Sequence, residues 1–149
     1  MRRDPRQLAV LAELAVERRE AAGRRLRQSI DLLQASLQRL AMLERYRDDY
    51  RGRLARAGAG GVAADELRNF NGFLARLEEA HAQQRAEVEA LERGVREQRG
   101  RWLDERRKER SIDVLAERAE DAARVAESRR LQKLLDEFSA RIAATRAKP

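Results

Sequence analysis

From Leu67 onward one position returns every seven residues: Leu67, Leu74, His81, Val88, Val95 and Trp102. A second set, Phe70, Leu77, Gln84, Leu91 and Gln98, repeats at the same interval three residues later. Eight of these eleven positions are apolar. A strand would turn alternate members of such a pattern to opposite faces, whereas a helix gathers them into one narrow seam that needs a second helix to cover it. His81, Gln84 and Gln98 interrupt the seam with polar groups, which lower stability and fix register.

The rest of the chain supplies the second helix. The only prolines are Pro5 and Pro149, so nothing between them forces a helix to stop. Asp4 is a suitable N-cap with Pro5 at the first helical position. The one cluster of breakers is "AGAGG", Ala57 to Gly61. Before it, apolar residues recur at Leu26, Ile30, Leu33, Leu37, Leu40, Leu43, Tyr46, Tyr50 and Leu54, with a mean spacing of 3.5. Leu8, Leu11 and Leu14 fit upstream, but "VERREAAGRRLR" offers little beyond Ala22. Asn71-Gly72 is a soft spot in the second helix.

The predicted fold is all-α: an antiparallel two-helix coiled coil forming one hairpin domain over residues 1–149. Helix 1 covers about 5–56, the turn 57–62, and helix 2 about 63–146. At 1.5 Å per residue the helices measure ~78 Å and ~125 Å. Folded about Gly60, the first helix runs out near Leu115, so the C-terminal part of the second projects with no intramolecular partner. That part carries its own stripe, Leu131, Leu135, Phe138 and Ile142, at spacings of 4, 3 and 4. Fully burying each such side chain is worth about 1.5–3 kcal/mol. The stripe therefore reads either as a segment that frays or pairs with a second copy, or as a helix made to be wrapped by another protein.

The stretch "YRDDY", Tyr46 to Tyr50, poses a similar choice. A strict continuation of the seam from Leu37 and Leu40 meets Glu44, Arg47 and Arg51, all charged, while the apolar line slips to Leu43, Tyr46 and Tyr50. On the second helix Phe73, Leu77, Ala80 and Gln84 form a line bordering the seam. The fold-back sets the tyrosines beside residues 70–74. Either a shift of register tucks the rings inside, or they form a partly exposed aromatic patch of the kind that anchors interfaces. Phe73 and Leu74 are neighbours and cannot both point inward, which favours exposure.

Chemistry finds little footing. Charged residues make up 40% of the chain and aromatics 4%, a usage typical of long helices rather than compact enzymes. There is no cysteine, and the single histidine, His81, sits on the seam. The pairs Asp48-Asp49, Glu78-Glu79, Glu120-Asp121 and Asp136-Glu137 are helical neighbours that point to different faces. The glycine run lacks the Lys-Ser/Thr of a phosphate-cradling loop. No catalysis, cofactor or metal is expected.

No uncharged run exceeds eight residues, too short to span a membrane. The basic-then-apolar start is interrupted by Glu13 and lacks a cleavage site, so it reads as a helix start in a soluble protein. A pI near 10.8 raises nucleic acid as a rival ligand, with "RRLR", "RRKER" and "SRR" as phosphate contacts. The leucine steps of a basic zipper fail at Ala122 and Arg129, and acidic residues alternate with the arginines throughout.

The blocks "ERYRDDYRGRL" before the turn and "NFNGFLARLEEAHAQQR" after it resemble the flagellar FliJ family, as do Trp102 followed by "ERRKER" and the tail "AESRRLQKLLDEFSARIAATRAKP". The resemblance extends over nearly the whole chain. It implies an antiparallel coiled coil similar to a rotary-ATPase central stalk, and a non-enzymatic component of the type III export apparatus. The implied partners are the hexameric export ATPase, the cytoplasmic domain of the export gate and the chaperones of export substrates. Nucleic acid is not expected, and the membrane is met only peripherally through partners. The implied location is cytoplasmic, at the membrane face of the flagellar base. The gate-binding surface implied is Leu43, Tyr46, Tyr50, Phe73, Leu77 and Ala80, with Arg39 and Gln84 at positions where the family varies. The stalk analogy sets Leu131, Leu135, Phe138 and Ile142 against the ATPase. A stalk or adaptor of a virulence injectisome or of a rotary ATPase, and a basic nucleic-acid-binding helical protein, stand as the alternatives.

Overall fold

The computed structural model describes residues 4–61 and 63–147. Its elements are α1 (Pro5–Ala59) and α2 (Ala64–Arg146), packed against each other as an all-α helical hairpin. Asp4 caps α1: its Oδ1 accepts from Arg6 N at 3.1 Å and its carbonyl from Leu8 N at 3.1 Å. Satisfying these first N–H groups is what lets an isolated terminus stay helical. Asp65 and Glu66 open α2 and Arg146 closes it, each sign complementing the helix dipole.

The helix stop is later than the glycine cluster suggests. Ala57, Gly58 and Ala59, expected in the turn, are the last residues of α1. Gly60 N donates to Arg56 O at 3.1 Å, and Gly61 takes φ +76°, the left-handed conformation that only glycine adopts without strain. Val62, also expected in the turn, lies outside the described residues. Asn71-Gly72 does not interrupt α2, because Phe70 and Leu74 on either side are drawn into the seam.

The chain forms two compact units, Ala21–Leu103 and Met1–Glu20 with Asp104–Pro149. Within Ala21–Leu103, the α2 heptads behave as their spacing predicts from Phe70 onward: His81, Val88 and Val95 are buried, and Phe70, Leu74, Leu77, Gln84, Leu91, Gln98 and Trp102 half-buried. Leu67, the first member of the expected repeat, is exposed because it lies next to the turn, at the open end of the seam. On α1 the seam differs from the apolar line. Ser29, Ser36, Leu43 and Tyr50 recur every seven residues on the covered face, with Leu26, Leu33, Leu40 and Arg47 between them. Ser36 is 2% exposed, whereas Leu37, expected in the seam, is 42% exposed. Ile30 and its neighbour Ser29 are both half-buried.

The polar residues of α2 explain that choice. Gln84 Nε2 donates to Ser36 Oγ at 2.7 Å and to the Ser36 carbonyl at 3.0 Å. One layer on, His81 Nε2 lies 3.2 Å from Glu44 Oε1, and Arg47 Nη1 lies 3.3 Å from Nε2 and 3.4 Å from Nδ1 of the same ring. Buried polar groups without partners are costly, so Ser36 and Arg47 face Gln84 and His81 although Leu37 is displaced outward. Small residues mark the opposite extreme of this unit: a Cβ on Gly23 would stand 3.4 Å from Trp102 Nε1, and Ala22 is buried beside it. The indole takes the volume that larger α1 side chains would need.

In the second unit, Leu8 and Ala15 are buried and Arg19 Nε meets Glu109 Oε2 at 2.6 Å. Leu11 is half-buried and Leu14 exposed, so only Leu8 of that predicted line reaches the core. On α2, burial ends with Ile112, Ala116 and Ala119; every residue from 120 to 147 is exposed. Among the described residues no helix is long and apolar enough to cross a membrane.

Candidate functional site

A two-helix seam built on alanine, serine and polar pairs buries little. Among the described residues the buried apolar side chains are Leu8, Ala15, Ala22, Val88 and Val95. The two apolar surfaces that the sequence singles out lie one in each unit.

In Ala21–Leu103 the surface is aromatic. Tyr50 enters the seam and is half-buried; its ring packs on Phe73 with centroids 4.4 Å apart and on Phe70 at 5.5 Å, both tilted. Such tilted contacts suit the ring quadrupoles. Tyr46, one turn earlier, is 57% exposed. The two tyrosines therefore divide the alternatives, one packed and one free. Phe73 is exposed while its neighbour Leu74 turns inward; Leu43, Leu77, Ala80 and Gln84 are half-buried, Gln84 reaching Ser36 rather than the rings. Arg39 is exposed. Phe70, a seam position that the fold-back sets beside the tyrosines but that the expected gate-binding surface leaves out, also touches Tyr50.

In the other unit the surface is aliphatic. Leu131, Leu135, Phe138 and Ile142 are all exposed, Phe138 by 62%. Leu134, also exposed, widens the stripe and was missed by the sequence reading. The signal was present, since Leu134 lies three residues after Leu131 and four before Phe138. Around it, Gln132 Nε2 donates to Asp136 Oδ1 at 3.2 Å and Arg124 pairs with Asp121, contacts within one helix that cover none of the leucines.

Neither surface has the makings of a reaction centre. Among the described residues no three His, Cys, Asp or Glu side chains gather where they could hold a metal ion. His81, the lone imidazole, is buried between Glu44 and Arg47. Both surfaces are suited to contact rather than to chemistry.

Comparison with known proteins gives the same direction. The family model described as "Flagellar FliJ protein" matches residues 5–148. The Flagellar FliJ protein of Escherichia coli (strain K12) is 31% identical over 136 residues, covering 91% of this chain and 92% of its own length. That of Salmonella typhi is 29% identical with the same coverage. No solved structure matches the chain significantly. With a family model matched from the first turn of α1 to beyond the last residue of α2, and relatives aligned over nine-tenths of the chain, this protein belongs to the flagellar FliJ family.

Proposed function

We propose that this chain is a non-enzymatic coiled-coil component of the flagellar type III export apparatus, linking the export ATPase to the export gate and to substrate chaperones. The observation that carries the proposal is a family match over residues 5–148 in a chain that leaves an aromatic surface bare in one unit and an aliphatic stripe bare in the other. The aromatic surface, Leu43, Tyr46, Tyr50, Phe73, Leu77, Ala80 and Gln84, serves the cytoplasmic domain of the gate. Tyrosine and phenylalanine held by each other at 4.4 Å form a rigid, amphipathic anchor, the type of group that dominates interface energies. The aliphatic stripe, Leu131, Leu135, Phe138 and Ile142, serves the ATPase, where burial of each side chain contributes about 1.5–3 kcal/mol. The chain acts at the cytoplasmic face of the membrane at the flagellar base, through its partners.

In this reading the chain does no chemistry. It transmits a state of one partner to the other, which requires each partner to bind it differently in at least two states. The test is copurification of the full chain with the export ATPase and, separately, with the gate's cytoplasmic domain. Tyr46→Ala with Phe73→Ala should release the gate domain and leave the ATPase bound. Leu135→Glu with Phe138→Glu should do the reverse, and both pairs should abolish motility in cells. Binding of both partners through one surface, or of neither, overturns the proposal.

A further inference from the structure

One further surface belongs to neither of those just assigned. In the unit Met1–Glu20 with Asp104–Pro149, a shallow cavity of about 340 Å³ runs between α1 and α2. Its floor is apolar: Leu11, Leu14, Ala15 and Ile112. Its rim is basic, with Arg18 on one helix and Arg107 and Lys108 on the other. Arg6, Gln7 and Val10 continue the depression along α1, and Val10 is exposed. From Arg6 to Arg18 this is ~18 Å of helix at 1.5 Å per residue, or about three turns.

Two details specify the chemistry of what fits. Among the described residues Arg18 forms no ion pair, Arg107 pairs at the surface with Asp104 at 3.3 Å, and the exposed Lys108 pairs with Oε1 of the part-buried Glu105 at 3.5 Å. Those pairs are weak and leave the rim open to a stronger anionic partner. Within the cavity wall, Glu105 Oε2 is buried with no hydrogen-bond partner. A buried carboxylate oxygen left unpaired carries a penalty that an incoming donor would relieve. We propose that this groove binds an amphipathic helix of another protein, with an apolar stripe on the floor, acidic flanks against the basic rim, and one donor side chain reaching Glu105.

A second copy of this chain is a poor occupant. Its exposed stripe at Leu131–Ile142 is flanked by Arg129, Arg130, Lys133 and Arg141 against only Asp136 and Glu137, a net positive flank that would face the cations of the rim. A membrane surface is equally unsuited, since the leucines lie in a recess between helices rather than on a convex face that can enter the interface. An amphipathic helix laid in a groove meets both the concavity and the charge.

The experiment uses the full chain and two synthetic amphipathic peptides with one common leucine stripe, the first flanked by glutamates and the second by lysines. Fluorescence anisotropy should find the acidic peptide bound about ten-fold or more tightly than the basic one, with binding that weakens as salt is raised. Leu14→Glu should lower its affinity about ten-fold. Leu14 is already exposed, so the helices should keep their circular dichroism. Arg107→Glu with Lys108→Glu, both at the surface, should reverse the preference toward the lysine peptide, and Leu32→Glu, at an exposed position outside every assigned surface, should change nothing. Equal binding of the two peptides, binding of neither, or indifference to both groove variants overturns the proposal. So does self-association, or binding to phosphatidylglycerol vesicles, that the groove variants abolish while peptide binding persists.

Discussion

Residues 81–95 and 131–142 lie on one helix, carry apolar side chains at the same 3-4 spacing, and meet opposite fates. In the first stretch His81, Val88 and Val95 are buried under α1. In the second Leu131, Leu135 and Phe138 stand more than half exposed. Intrinsic helicity does not separate them, because both are continuous α-helix. What separates them is a partner: α1 begins at Pro5, and the last α2 residues that gain any cover are Ala116 and Ala119. The same sequence device thus holds a hairpin together in one place and stays bare in the other.

The sharpest way to break this contrast is to place a carboxylate in each stretch. Val88→Asp buries a charge with no partner and should cost about 3 kcal/mol or more, seen as a large fall in thermal midpoint. Leu135→Asp should change the melting curve hardly at all while removing the ATPase from copurification. If Leu135→Asp melts the protein, the C-terminal stripe is core and the comparison fails.

A second contrast lies within one turn of α1. Tyr50→Ala removes a ring packed on Phe70 and Phe73 and should destabilise by about 2 kcal/mol. Tyr46→Ala, at an exposed position, should stay within about 0.5 kcal/mol while still weakening the gate complex. Equal losses of stability would place both rings in the core.

The polar layers sharpen the comparison further. Arg19→Ala leaves Glu109 part-buried without its partner and should cost about 1–3 kcal/mol by denaturant titration. Gln84→Ala strands the Ser36 hydroxyl and should cost about 1 kcal/mol, whereas Ser36→Ala combined with Gln84→Leu should recover most of it. Failure of the double variant to recover would mean the pair does more than satisfy itself. The smallest effect expected is Asp4→Ala, about 1 kcal/mol or less, because it frays only the first turn of α1.

Much of this was legible in the residues. The seven-residue repeat of α2, the cap at Asp4 and Pro5, and the bare leucines of the C-terminal stripe all follow from local rules. Spacing alone predicts a stripe, and chain length predicts that α1 cannot reach it. The aromatic cluster was only half legible. Its members could be brought together by folding the chain back about Gly60, but not sorted into packed and exposed.

That sorting needed the second helix in place. Leucine spacing on α1 selects Leu37 and Tyr46 for the seam, and by transfer energy alone that choice is reasonable. The observed seam takes Ser36 and Arg47 instead, because Gln84 and His81 arrive on the facing helix and must be hydrogen-bonded. Helix content, direction reversal and unequal reach are properties of a single chain read residue by residue. Which face of α1 turns inward is a property of the pair, since an unpaired buried amide or imidazole outweighs one exposed leucine.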